Sequence, residues 1–270
     1  MRSPWKALEG GSVKLVECRM ILGVRVDATS YADATERILA WAGRGESRYV
    51  CLGVAASLME ALDSPDYRTV LEEADLVTPD GMPLVWMLRW LGIRSATRVY
   101  GPDLTPAVLE GAEAAGLSVG FYGSTQPVLD SLVANLRRRL PRVKVVFCEA
   151  PPFRVLTSIE DEEALHAMNA AGVRILFVGL GGVKQDSWMA RHRGRVGAVM
   201  IGVGAAFDFL AGAKQQAPLW MRNSGLEWLF RLLTEPKRLW RRYLYHNPRF
   251  VFHAAAQLLR ARFHEHRSTV

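Results

Sequence analysis

Six short apolar runs, at residues 49–54, 76–78, 117–122, 143–148, 173–178 and 198–203, recur along the chain with helix-length segments between them. Runs of that length, rich in Val, Ile, Leu and Phe, read as strands buried on both faces. The spacers decide how those strands pair. An antiparallel pair can close on a tight turn, whereas a parallel pair needs a crossover of a dozen or more residues. The expected fold is therefore α/β: a Rossmann-like, mostly parallel sheet with crossover helices. Residues 128–140 carry a helical apolar pattern that ends on Arg137, Arg138 and Arg139, and residues 160–171 open acidic and stop before Gly172. Both read as crossover helices. The arginine run lacks aromatic neighbours and has acids close by, which favours a solvated helix end over a nucleic-acid patch, and no function is assigned to it.

After Gly212 the strand signals stop. Residues 217–233 and 236–264 read as helices, broken at Asn223-Ser224-Gly225 and again near Asn247-Pro248. The charge changes at the same place: the last 57 residues hold eleven Lys/Arg against three Asp/Glu, a net +8, while the preceding 213 sum to −1. Trp220, Trp228, Trp240, Tyr243, Phe250 and Phe252 interleave there with Arg231, Lys237, Arg238, Arg241 and Arg242, a mixture suited to an anionic membrane surface or a phosphate ligand. The expected organisation is a loosely held lead-in over 1–20, an α/β domain over 21–213 and a basic, aromatic helical appendage over 214–270.

Residues 196–213 could be mistaken for a membrane span, but they carry Asp208 and are punctuated by Gly197, Gly202, Gly204 and Gly212, so strand, glycine turn and short helix is the reading. Cys18, Cys51 and Cys148 are too scattered for a disulfide framework or a zinc site, and no apolar stretch near the N-terminus has the length of a signal-peptide core. The cytoplasm is the expected compartment.

Glycines gather after three of the strand candidates: Gly120 and Gly123, then Gly179, Gly181 and Gly182, then Gly202 and Gly204. Each alone marks only a tight turn. Three such loops in register at strand ends point to a nucleotide crevice, where backbone can approach a phosphate closely. The first strand is not followed by Gly-x-Gly-x-x-Gly, and no acidic residue lies about 20 residues past Gly179 to take a ribose, which argues against nicotinamide and for a nucleotide held by its diphosphate. Asp80, in Thr78-Pro79-Asp80-Gly81-Met82-Pro83, follows a strand and precedes a helix. A carboxylate there can project into the crevice as a general base, and the ordinary reading of the same Asp-Gly is a turn or N-cap residue. Neither a His-Glu-x-x-His nor an Asp-x-Asp pair is present, so the expected site is metal-free and arginine must supply any positive charge for a departing diphosphate.

Five blocks together resemble the bacterial WecG/TagA/CpsF glycosyltransferases, from about Gly23 to Phe250. They are Thr78-Pro79-Asp80-Gly81-Met82; Arg98-Val99-Tyr100-Gly101-Pro102-Asp103-Leu104; Phe177-Val178-Gly179-Leu180-Gly181 with Lys184-Gln185; the glycine-flanked run from Gly202 to Gly212; and Gly225-Leu226-Glu227-Trp228 leading to Glu235-Pro236-Lys237-Arg238-Leu239-Trp240-Arg241-Arg242-Tyr243. The resemblance implies an inverting, metal-independent transfer of a sugar from a UDP-sugar to a polyprenyl-diphosphate-linked saccharide at the inner face of the membrane, in exopolysaccharide or cell-wall glycopolymer assembly. It implies no cofactor. Asp80 would be the base, and Arg98 would line the pocket and hold substrate. Gln185, Gly123, Gly179 and Gly181 would line the substrate pocket, and Arg231, Arg238 and Arg241 of the appendage would close over the diphosphate. Asp208 reads first as a helix cap and second as a nucleotide contact. Homo-oligomerisation is left open, as is the donor sugar among N-acetylmannosamine, its uronic acid and glucose.

One departure stands out. Many members carry Thr-x-Asn at the end of the first strand, where this chain has Leu52-Gly53-Val54. That exchange supports an alternative, a membrane-associated UDP-sugar-binding module with reduced or lost turnover. A nicotinamide oxidoreductase is the more distant third reading.

Overall fold

The computed structural model describes residues 16–267. It opens with an antiparallel hairpin, β1 (Cys18–Ile21) and β2 (Val24–Asp27), followed by α1 (Tyr31–Gly43), β3 (Arg48–Gly53), α2 (Ala55–Asp63), α3 (Pro65–Glu72) and β4 (Leu76–Pro79). Next come α4 (Met82–Trp90), α5 (Gly101–Ala115), β5 (Ser118–Gly123), α6 (Gln126–Arg139), β6 (Lys144–Glu149) and α7 (Ser158–Ala170). The α/β part ends with β7 (Ile175–Gly179), α8 (Gly182–His192), β8 (Val199–Gly202) and α9 (Ala206–Leu210), and the appendage is α10 (Leu219–Asn223), α11 (Glu227–Thr234) and α12 (Pro236–Arg267).

All six expected strands form, and they make one sheet in the order β4-β3-β8-β7-β5-β6 with every neighbouring pair parallel. The α/β, Rossmann-like expectation is met. Helices cover both faces: Ile38, Leu104, Leu129 and Phe207 from α1, α5, α6 and α9 form one core. Leu58, Leu71, Leu84, Met168, Met189 and Phe250 from α2, α3, α4, α7, α8 and α12 form the other, together with the hairpin. Adjacent strands β3 and β8 send their chains to opposite faces, as do β5 and β7. Each such switch opens a crevice at the C-terminal edge of a parallel sheet.

The hairpin has no counterpart among the expected elements. Part of the 1–20 lead-in, residues 1–15, lies outside the described residues, but Cys18–Met20 are already paired with Arg25–Asp27. Its two-residue connection puts Leu22 at φ 50° and Gly23 at φ 83°, a left-handed turn carried by a Leu-Gly pair instead of the Asn-Gly that usually signals it. The break at Asn223-Ser224-Gly225 is present, with Gly225 at φ 75°. The second break is not. Helix α12 runs through Pro248, because both sides of the proline are tied down: His246 lies 3.3 Å from Glu60, Arg249 takes both oxygens of Asp63 at 2.6–2.7 Å, and Phe250 and Ala254 are buried in the core beside α2. Packing outweighs the lost backbone bond. Among the described residues no helix is long and apolar enough to cross a membrane.

Candidate active site

Asp80 stands just past β4, at the C-terminal edge of the sheet. Its N–H and that of Gly81 both donate to the Gly53 carbonyl at the end of β3, at 3.0 and 3.2 Å, which clamps the turn against the neighbouring strand. Gly81 is the N-cap of α4 and Pro83 lies in the first turn, so the cap reading of Asp80 does not hold. Its carboxylate is left for the crevice. A methyl built on Gly101 would meet Leu52 Cδ1 at 2.7 Å, the Val203 carbonyl at 3.5 Å and Asp80 Oδ2 at 3.9 Å, so the first residue of α5 must be small to make room for both side chains. Leu52 thus lines the site with hydrocarbon. At Val54, the N-cap of α2, the backbone N–H donates instead to the Ser57 hydroxyl at 3.0 Å.

Arg98 organises the polar side of the pocket. Its Nε donates to the Asp80 carbonyl, its Nη2 lies 3.4 Å from Asp80 Oδ1 and 2.6 Å from Glu227 Oε2, and its Nη1 reaches the Arg222 carbonyl at 3.5 Å. The guanidinium lies over the Tyr100 ring, 4.2 Å from its centroid. Burial is the main cause pushing the Asp80 carboxyl up to about 6; Arg98 and Arg231 pull it down, and Glu227 adds to the rise. A carboxyl titrating there is charged at neutral pH, yet far more basic than an ordinary aspartate.

The appendage closes this pocket. Gly225 rests so near Trp86 and Met82 of α4 that a side chain there would collide with the indole, and Arg222 pairs with Asp103 at 3.0–3.1 Å. A cavity of mixed lining remains, bounded by Tyr31, Met82, Val85, Arg98, Tyr100 and Arg222 among others.

The other expected site residues divide. Gln185 is buried; its Oε1 accepts the Gly204 N–H at 2.9 Å and its Nε2 approaches Asp186 at 3.4 Å, so it braces the turn after β8. Gly123 and Gly179 face each other across β5 and β7: a methyl added to Gly123 would lie 2.5 Å from the Gly179 carbonyl carbon, and the Phe207 ring covers Gly179. Close packing explains both. Gly181, at φ 85°, faces open space at the start of α8. Asp208 sits in the first turn of α9, whose N-cap is Ala205, and pairs with Lys214 at 2.9 Å, which overturns the helix-cap reading. Arg231 is close enough to act electrostatically on Asp80. Arg238 pairs with Glu235 at 2.5 Å and Arg241 lies against the Trp240 indole, whereas Arg242 shares the field of Arg231 and Arg238.

The sequence matches the family described as Glycosyl transferase WecG/TagA/CpsF family over residues 19–264. The chain belongs to this family. Two relatives are similar to it: an N-acetylglucosaminyldiphosphoundecaprenol N-acetyl-beta-D-mannosaminyltransferase of Bacillus spizizenii, 31% identical over 186 residues, and one of the same name from Bacillus subtilis, 29% identical over 185 residues. Each match spans 68% of this chain and 70% of the relative. The protein is therefore a glycosyltransferase, and Asp80, Arg98 and Glu227 stand where three of its motif blocks converge. Sequence reasoning places Glu227 within a motif but gives it no role. The signal that could have found it is a lone acid among aromatic and basic neighbours in a tail of opposite charge.

Proposed function

We propose that this glycosyltransferase moves a sugar from a UDP-sugar to a polyprenyl-diphosphate-linked saccharide, with inversion at the anomeric carbon and Asp80 as the base. The observation that carries the reading is the carboxylate itself: desolvated, raised to about 6, and placed at the C-terminal edge of the sheet beside a buried arginine. Asp80 takes the proton of the acceptor hydroxyl as its oxygen bonds to the anomeric carbon. The bond from that carbon to the nucleotide diphosphate breaks on the opposite face, and the charge appearing on the diphosphate meets cations. Of the three appendage arginines assigned this task, Arg231 acts electrostatically on Asp80, and Arg238 and Arg241 lie farther along the same appendage; Gly181 serves the substrate side, and Gln185 supports it by holding the turn after β8.

The activity for which the Bacillus relatives are named supports N-acetylmannosamine as donor sugar and an N-acetylglucosaminyl lipid diphosphate as acceptor, hence a place in cell-wall glycopolymer or exopolysaccharide assembly. A substrate anchored in lipid and a tail of charge +8 support peripheral attachment at the inner face of the membrane.

The test is UDP release from a panel of UDP-sugars with a lipid-diphosphate acceptor. Asp80→Asn should lower turnover by about 10²–10⁴-fold. Because the base works only when ionised, turnover of the parent should rise with pH through about 6 and then level off. Among the described residues no three His, Cys, Asp or Glu side chains are grouped to hold a metal ion, and activity should survive excess EDTA. Unchanged UDP release in Asp80→Asn would withdraw the base. UDP binding without transfer to any acceptor would favour the alternative supported by Leu52 and Val54, a UDP-sugar-binding module.

A further inference from the structure

Glu227 opens α11 and is buried, although its appendage carries a net charge of +8. It meets the pocket at Tyr100 and at Arg98, and the Arg98 contact has the greater leverage. Arg98 Nη2 lies 2.6 Å from Glu227 but 3.4 Å from Asp80, so a single guanidinium nitrogen serves two carboxylates that belong to different parts of the molecule. An arginine alone with an aspartate in a desolvated site would settle into a close, two-pronged pair and make a poor base of it. Here Arg98 Nε is already spent on the Asp80 carbonyl, and the shared nitrogen leans to Glu227.

We infer that Glu227 is a positioning residue: by taking its share of Arg98 when the appendage docks, it fixes the guanidinium over Tyr100 and leaves the Asp80 carboxylate only loosely paired and correspondingly basic. The inference rests on Asp80 being the base. It makes appendage docking more than a cover, since a detached appendage would return Arg98 wholly to Asp80 and disarm it.

Charges facing Asp80 come from several elements. Arg98 stands in the segment before α5, Tyr100 is the N-cap of α5, Tyr31 is on α1, and Glu227 and Arg231 are on α11. Both tyrosines are neutral over the working range, so the balance lies among the two arginines and Glu227.

The experiment follows the Asp80 carboxyl directly, in the full-length chain without substrate, by ¹³C NMR of protein labelled at aspartate side-chain carboxyls. Asp80→Asn, which loses one resonance, supplies the assignment. The parent resonance should titrate near 6. In Glu227→Gln the midpoint should fall by about one pH unit or more, and in Glu227→Asp, which keeps charge but cannot reach Arg98 as closely, it should fall by less. A role in packing alone would leave the midpoint in place. A midpoint unmoved in whichever variant folds overturns the inference. Failure of the base assignment is read separately, from undiminished UDP release in Asp80→Asn.

Discussion

At the scale of single residues, Asp186 shows how a carboxylate can be kept deep in this fold without a cation. Its partners are the Tyr67 hydroxyl at 2.7 Å, the Gln185 amide at 3.4 Å and the Cys51 thiol, all neutral. Burial is the dominant cause pushing its carboxyl up to about 6. A group bound to its proton more tightly in the folded chain than in the unfolded one stabilises the fold fully below the unfolded pKa, and that contribution is lost as pH rises through the folded value. Between about pH 4 and pH 7 the parent should lose on the order of 2–3 kcal/mol from this residue. Urea unfolding at several pH values tests it: Asp186→Asn should flatten the decline, while Asp80, shifted in the same direction, keeps some slope. Equal slopes in parent and variant would mean that Asp186 stays ionised throughout.

At the scale of elements, α12 is a helix that local sequence says should break. Pro248 cannot donate to the carbonyl four residues back, and its ring crowds that carbonyl, a cost of about 3 kcal/mol in an unsupported helix. The contacts of His246, Arg249, Phe250 and Ala254 with the α2 side hold the two halves in line. Pro248→Ala should therefore raise the melting temperature, with a gain on the order of 1–3 kcal/mol in urea unfolding. A loss of stability would mean that the proline ring itself helps to seat Phe250. The same packing shows that the appendage is a structural part of the domain, since removing it would uncover Leu58 and its neighbours.

At the scale of the whole molecule, two tasks expected of one basic tail separate in space. Arg231 is half-buried and acts electrostatically on Asp80, while Lys237, Arg260 and Arg262 are exposed, as are Trp220 and Phe252, at 64% and 71%. Membrane attraction depends on summed charge, about 1 kcal/mol per basic residue near an anionic surface, and is screened by salt. Lys237→Gln combined with Arg260→Gln and Arg262→Gln should weaken co-sedimentation with phosphatidylglycerol vesicles by about 10- to 100-fold at low salt and by less at high salt. Arg231→Ala should instead lower turnover and leave vesicle binding nearly unchanged. Proportional losses in both measurements for Arg231→Ala would return the tail to a single anchoring role.

The sequence by itself determined the strands, the crossover architecture, the place of Asp80 at a strand end and the charge of the tail, because apolar periodicity, turn residues and local charge act over a few neighbouring positions. The β1–β2 hairpin escaped it because Leu22-Gly23 lacks the usual turn pair, and the course of α12 escaped it because Pro248 is overruled by contacts with residues far away in the chain. The site depended on such contacts throughout. Arg98 meets Asp80 across 18 positions and Glu227 across 129, and no local pattern encodes the sharing of one guanidinium between them. Only the folded chain, by laying α11 over the C-terminal edge of the sheet and excluding water there, decided which charges oppose each other and how basic Asp80 becomes.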